Sequence, residues 1–195
     1  MVEATVARHG RLDLLVNNAG RSARGEILAT SVEEFQRLLD LNFFSVVRCT
    51  QAAAPHLQRS RGHVVNIGSL SAKAATRYLG AYPVSKFAVA AYSQQLRLEW
   101  EPHGVHVLLV CPGPIVRVDA GRRYDQEAAD LPESARGPGG GVQLRGIDAD
   151  WLAREILRAC ERRQLELVVP AKARCLFAIA QLWPRLGDWI LKRKT

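Results

Sequence analysis

Four short apolar runs, LDLLV (residues 12–16), HVVNI (63–67), VHVLLV (105–110) and LELVV (165–169), recur along a chain of 195 residues. Each is too short for a helix and too continuous for a strand with one wet face, which is how strands buried on both faces of a parallel sheet read. Between consecutive runs lie segments of helical periodicity, and parallel neighbours need crossovers of a dozen residues or more. The pattern therefore predicts an α/β domain with a parallel sheet and flanking helices.

The connecting segments carry helix punctuation. In TSVEEFQRLLDLNFFSVVRCTQAAAPHLQ (30–58), Ser31 and Glu34 form the S-x-x-E spacing of a capping box, and Pro55 is expected to kink or end the helix. Residues 81–101 predict a long helix with Pro83 in its first turn, and Asp148 is placed to cap a helix over DADWLAREILRACERR. VEATVARH, closed by Gly10, reads as the end of a helix. Residues 119–146, with RGPGGG and few apolar positions, predict a mobile loop of the kind that serves substrates.

Composition narrows the function. The net charge is +8, but six cations against one acid fall in residues 171–195, so the body is nearly balanced and nucleic acid is not an expected partner. Cys49, Cys111, Cys160 and Cys175 show neither C-x-x-C nor Cys/His pairing, and the five histidines show no metal-ligand spacing, so no metal is expected. No segment reaches the length of a membrane span. These features suggest a cytoplasmic protein, or one attached to a membrane surface.

Ligands of an open parallel sheet collect at the carboxyl ends of its strands. There the chain places NNAG, IGSLS and CPGP, and the helix opening with AYPVSK starts on the same side. Tyr82 and Lys86, one helical turn apart, share a face. A lysine cation close to a phenol favours the phenolate and makes tyrosine an acid/base group near neutral pH. Ser69, thirteen residues before Tyr82, could hold a substrate oxygen, with Ser71 as its rival. Ordinary helix-surface neighbours would show the same Y-x-x-x-K spacing.

LDLLVNNAG, LDLNFFSVVRCTQAAAPHL, GHVVNIGSLSA, AYPVSKFAVAAYSQQLRLEW and GVHVLLVCPGPI resemble, in order and spacing, the short-chain dehydrogenase/reductase family over residues 10–116. The resemblance implies a Rossmann-like sheet and hydride transfer between NAD or NADP and a carbonyl or secondary alcohol. It assigns Tyr82 as acid/base, Lys86 as its tuner and holder of the nicotinamide ribose, Ser69 as the support of the substrate oxygen, and Asn42 as the holder of a relay water. Asn17, Ala19 and Gly20 match the turn that supports the cofactor, and Pro112, Gly113 and Ile115 the segment beside the nicotinamide. It also implies a homodimer or homotetramer paired through helices at 31–58 and 81–101. A non-catalytic binding or assembly subunit is the rival reading.

Two departures stand out. The family's first β-α-β-α-β unit, with its glycine-rich phosphate loop, has no counterpart in the sequence, so the resemblance implies an N-terminally truncated Rossmann-like domain over 1–170, its activity in doubt. LDLLV then becomes an edge. Arg117 stands where the family often places a threonine. The tail, 171–195, spaces Leu176, Ile179, Trp183, Leu186 and Ile190 at near-helical intervals beside basic residues, with Pro184 restarting a second helix. It predicts a membrane-interface helix, a cap on the substrate pocket, or a subunit contact.

Overall fold

The computed structural model describes residues 1–116, 124–137, 139, 141 and 144–194, with Lys194 described by its backbone alone. Arg117 lies outside the described residues, as does part of the 119–146 segment. Strands β1 (Leu14–Asn17), β2 (His63–Ile67), β3 (His106–Pro112) and β4 (Glu166–Val169) form one parallel sheet in the order β1-β2-β3-β4. Helices α1 (Val2–His9), α2 (Val32–Leu39), α3 (Ser45–Ser60), α4 (Tyr82–Trp100), α5 (Ala149–Glu161), α6 (Ala173–Leu182) and α7 (Pro184–Lys194) surround it.

The alternation of strand side chains sorts the core into two layers. Val64, Val107 and Leu109 pack toward α3 and α4, whereas Val65, Leu108 and Val110 pack toward α5. All seven residues of β3 are buried, which is why its sequence is apolar without alternation. At the other extreme β1 is the edge: among the described residues no strand pairs with its outer side, and Val16 is 44% exposed.

Buried polar groups tie sheet to helices. Asn17 Nδ2 donates to Asn66 Oδ1 (2.8 Å) and Thr50 Oγ1 (3.2 Å), while Asn66 Nδ2 donates to Ser93 Oγ (2.9 Å). The ladder runs from β1 through β2 to α4 and satisfies each amide away from water.

The helix punctuation holds with corrections. Ser31 Oγ accepts from the Glu34 N–H (3.2 Å), but the Glu34 carboxylate turns to Arg37 (2.6 Å), so only half of the capping box forms. Asp148 caps α5 by accepting from the Trp151 N–H at 2.7 Å. Pro55 does not end α3, which continues to Ser60: it sits on the exposed side, where water can satisfy the carbonyl it leaves unpaired. The interruption comes earlier, as a π-helical turn over Asp40–Phe44 closed by Ser45 N–H on the Asp40 carbonyl. In the 119–146 segment, Glu133–Arg136 form a short 3-10 helix and Ala128 and Ala135 are buried.

Candidate active site

The carboxyl ends of the strands open into a cavity of about 830 Å³. Its floor comes from the 18–24 turn after β1, Ile67–Ser71 after β2 and Pro112–Val116 after β3, and its roof from α6 and α7. Of the residues singled out in the sequence, Gly20, Ser69, Tyr82, Lys86, Pro112, Gly113 and Ile115 line it. Asn17, Ala19 and Asn42 are not among its lining residues: Asn17 and Asn42 are buried, and Ala19 is exposed.

Asn42 shows how the wall is held. Oδ1 accepts from the Arg21 N–H (2.9 Å), and Nδ2 donates to the Arg21 carbonyl (2.9 Å) and to Ser85 Oγ (2.8 Å). Ser85 Oγ in turn donates to the Tyr82 carbonyl at 2.7 Å, so one buried amide joins the 18–24 turn to the first turn of α4. Both Nδ2 hydrogens are thereby engaged. The π turn supplies the geometry, since an extra residue rotates the helix face locally and such turns gather at functional sites.

Gly20 is held to a close approach: a Cβ there would lie 2.9 Å from Asn42 Oδ1 and 3.6 Å from Lys86 Nζ. Lys86 is 6% exposed, and its ammonium donates to the Ile67 carbonyl at 2.8 Å. Burial pushes its pKa down to about 8, so the cation persists at neutral pH and is lost in mildly alkaline solution. The ammonium lies 5.9 Å from the centre of the Tyr82 ring. Ser69 Oγ accepts from the Ser71 N–H (3.0 Å), which fixes the hydroxyl and leaves its own hydrogen to donate.

Sequence reasoning missed Asn18 and Arg24. Asn18 lines the cavity beside Gly20. Arg24 is 7% exposed: Nε donates to the Ala135 carbonyl (2.6 Å), Nη2 to the Gly137 carbonyl (2.9 Å), and the guanidinium sits 4.0 Å from the Tyr124 ring centre. Burial lowers its pKa, opposed by the charges of Tyr124, Glu127 and Tyr82, so Arg24 is a second cation in the electrostatic reach of Tyr82. Glu127 pairs with the Arg21 guanidinium and accepts from the Arg24 N–H at 3.0 Å. Together they fasten 124–137 to the 18–24 turn, with Tyr124 among the residues that line the cavity. An arginine in RSARGE carries no sequence sign of burial.

A parallel α/β sheet whose carboxyl edge gathers serine, tyrosine and lysine around one cavity defines a protein of the Rossmann-like dehydrogenase type. Comparison with known proteins agrees: the family model described as short chain dehydrogenase matches residues 1–128, and the chain belongs to that family. It is 34% identical over 181 residues to dehydrogenase/reductase SDR family member 7B of Danio rerio, covering 92% of this chain and 57% of that protein. It is 39% identical over 113 residues to 3-ketodihydrosphingosine reductase of Bacteroides thetaiotaomicron, covering 57% of this chain and 42% of that one. A short-chain dehydrogenase from Streptomyces avermitilis superposes with a TM-score of 0.73 at 27% identity, over 97% of this chain and 74% of that one. The chain thus spans about half the length of these two curated relatives.

Proposed function

We propose that the cavity is an oxidoreductase site for a carbonyl or secondary alcohol carried on an apolar body, using NAD or NADP. The observation that carries the reading is the convergence of Ser69, Tyr82 and Lys86 on one cavity beside the close-approach Gly20. When bound, the nicotinamide cofactor supplies or accepts the hydride. The residues present fit its nicotinamide end: Gly20 leaves room where a Cβ would collide, Lys86 holds a cation for the ribose hydroxyls, and Pro112, Gly113 and Ile115 form the facing wall.

In this reading Tyr82 exchanges a proton with the substrate oxygen, Ser69 donates to that oxygen, and the charge of Lys86 favours the phenolate. Asn42 positions the site by locking the 18–24 turn to α4, in addition to any relay role. The 124–137 segment acts as the substrate loop, held by Arg24 and Glu127.

The substrate class follows from the roof. Leu176, Phe177 and Ile179 of α6, with Ile190 and Leu191 of α7, line the cavity, which supports the reading of the tail as a cap on the pocket. It also presents Leu182, Trp183 (61% exposed), Leu186 and Trp189 (50% exposed) outward, with Arg185, Lys192 and Arg193 on the same helix as Trp189. No helix among the described residues is long and apolar enough to cross a membrane. An aromatic and basic surface backed by an apolar cavity suits peripheral attachment to an anionic bilayer and a lipid-like substrate, as the name of the Bacteroides relative suggests for that protein. Exposed Leu41, Phe44, Val84, Phe87 and Leu98 on the α2–α4 side support pairing of subunits there.

The test is oxidation of NADH or NADPH, at cofactor concentrations up to the millimolar range, against ketones of increasing chain length in anionic vesicles. Turnover that rises with chain length and is lost in Tyr82→Phe supports the reading. Turnover indifferent to Tyr82, or absent with every ketone, favours the non-catalytic subunit.

A further inference from the structure

The opposite edge of the sheet holds a second cluster. In the parallel register His63 of β2 stands beside His106 of β3, and the two Nδ1 atoms are 3.0 Å apart with the rings edge to face. Cys160, at the end of α5, brings its Sγ into the group, and one ligand atom from each of the three lies within 4.8 Å of the others. His106 and Cys160 are buried and His63 is half-buried. The three are scattered over almost a hundred residues of sequence, which is why spacing along the chain gives no sign of them.

The tautomers are set by the backbone. His106 Nε2 faces the Gln164 carbonyl at 2.8 Å, and a carbonyl only accepts, so Nε2 carries the hydrogen and Nδ1 offers its lone pair to the cluster. This carbonyl-oriented imidazole is the usual support of a metal-bound histidine. Two nitrogens on one tetrahedral zinc, each at about 2.0 Å, stand roughly 3.3 Å apart, close to the separation already present.

We propose that His63 Nδ1, His106 Nδ1 and Cys160 Sγ bind a zinc-like divalent cation, with a fourth position open toward solvent at His63. Two nitrogens and one sulfur suit zinc or cobalt over magnesium or calcium. Binding moves the His63 hydrogen from Nδ1 to Nε2 and releases one proton from the Cys160 thiol, so the bound ion is held by two neutral imidazoles and a thiolate. The site lies at the amino ends of β2 and β3, with seven residues of β3, roughly 20 Å at the rise of a strand, between it and the catalytic edge. It is a bolt between α5 and the sheet and takes no part in hydride chemistry. Arg163, whose charge bears on both rings, opposes the cation.

Cobalt(II) titration of the whole chain tests it, read by thiolate-to-cobalt charge-transfer absorption and by competition with zinc. The expected result is uptake of one ion per chain, a thermal unfolding midpoint raised by zinc, loss of the band in Cys160→Ser, and affinity weakened roughly tenfold or more in His63→Gln. Arg163→Gln should tighten binding. Should Cys160→Ser fail to fold, the half-buried His63→Gln decides alone. No band at excess cobalt, or a band that survives Cys160→Ser because Cys49 or Cys175 supplies it, overturns the proposal.

Discussion

At Lys86 a single amine links burial to chemistry. Its pKa falls from 10.5 unfolded to about 8 folded, so between these values the unfolded chain holds the proton that the folded chain has released. Stability therefore rises with pH across that window from this group, and the cost of burying the cation is fully present below about pH 8. Lys86→Met should remove that slope, which denaturant titrations at pH 7.5 and 9.5 will read as a smaller alkaline gain. Asn42→Ala strips three hydrogen bonds from a buried site and should cost on the order of 2 kcal/mol or more, measured by urea unfolding, because Ser85 and the Arg21 backbone lose their partner. Ser69, Tyr82 and Lys86 were singled out in the sequence by the motifs that resemble the family, and the three line one cavity. Arg24 was not, since its burial depends on Tyr124, Ala135 and Gly137, a hundred or more residues away in sequence.

Elements carry the next level of constraint. The four strands and the long helices were readable from apolar runs and punctuation, and Pro184 does begin α7. The π turn was not, because Leu38, Asn42 and Val46 keep a spacing of four that reads as uninterrupted helix. Nor could the sequence choose among the roles of the tail, since the choice depends on which face meets the cavity. The α6–α7 pair itself rests on a contact between small residues: a Cβ on Gly187 would lie 2.6 Å from the Ala180 Cα, so the two helices pack backbone against backbone. Gly187→Leu should pry the hairpin apart at a cost of about 1–3 kcal/mol and open the roof. Hydrogen exchange should then quicken across Ala173–Lys194 while β2 and β3 keep their protection. Unchanged exchange would show that the roof does not depend on this packing.

As proposed, the molecule divides the two ends of its sheet between two tasks, with an oxidoreductase cavity at the carboxyl ends and a cation-binding histidine–cysteine cluster at the amino ends. Its outer surface follows the same economy: charge on the body is nearly balanced, and the basic excess sits on the roof above the cavity. Binding to anionic vesicles should accordingly weaken as salt rises and should fall sharply in Trp183→Ala/Trp189→Ala, read by co-sedimentation. Salt-independent binding would point to an apolar subunit contact instead.

The most direct test of the account is the pH–rate profile of turnover in wild type and in Lys86→Ala, measured with saturating ketone. The wild type should lose activity above about pH 8 as Lys86 deprotonates, and Lys86→Ala should lose that limb, its residual activity shifting toward higher pH as Tyr82 forfeits the cation beside it. Tyr82→Phe should retain less than about one hundredth of the rate at any pH. A Lys86→Ala enzyme that keeps the parent profile would contradict the pairing of Tyr82 and Lys86 as the centre of the chemistry.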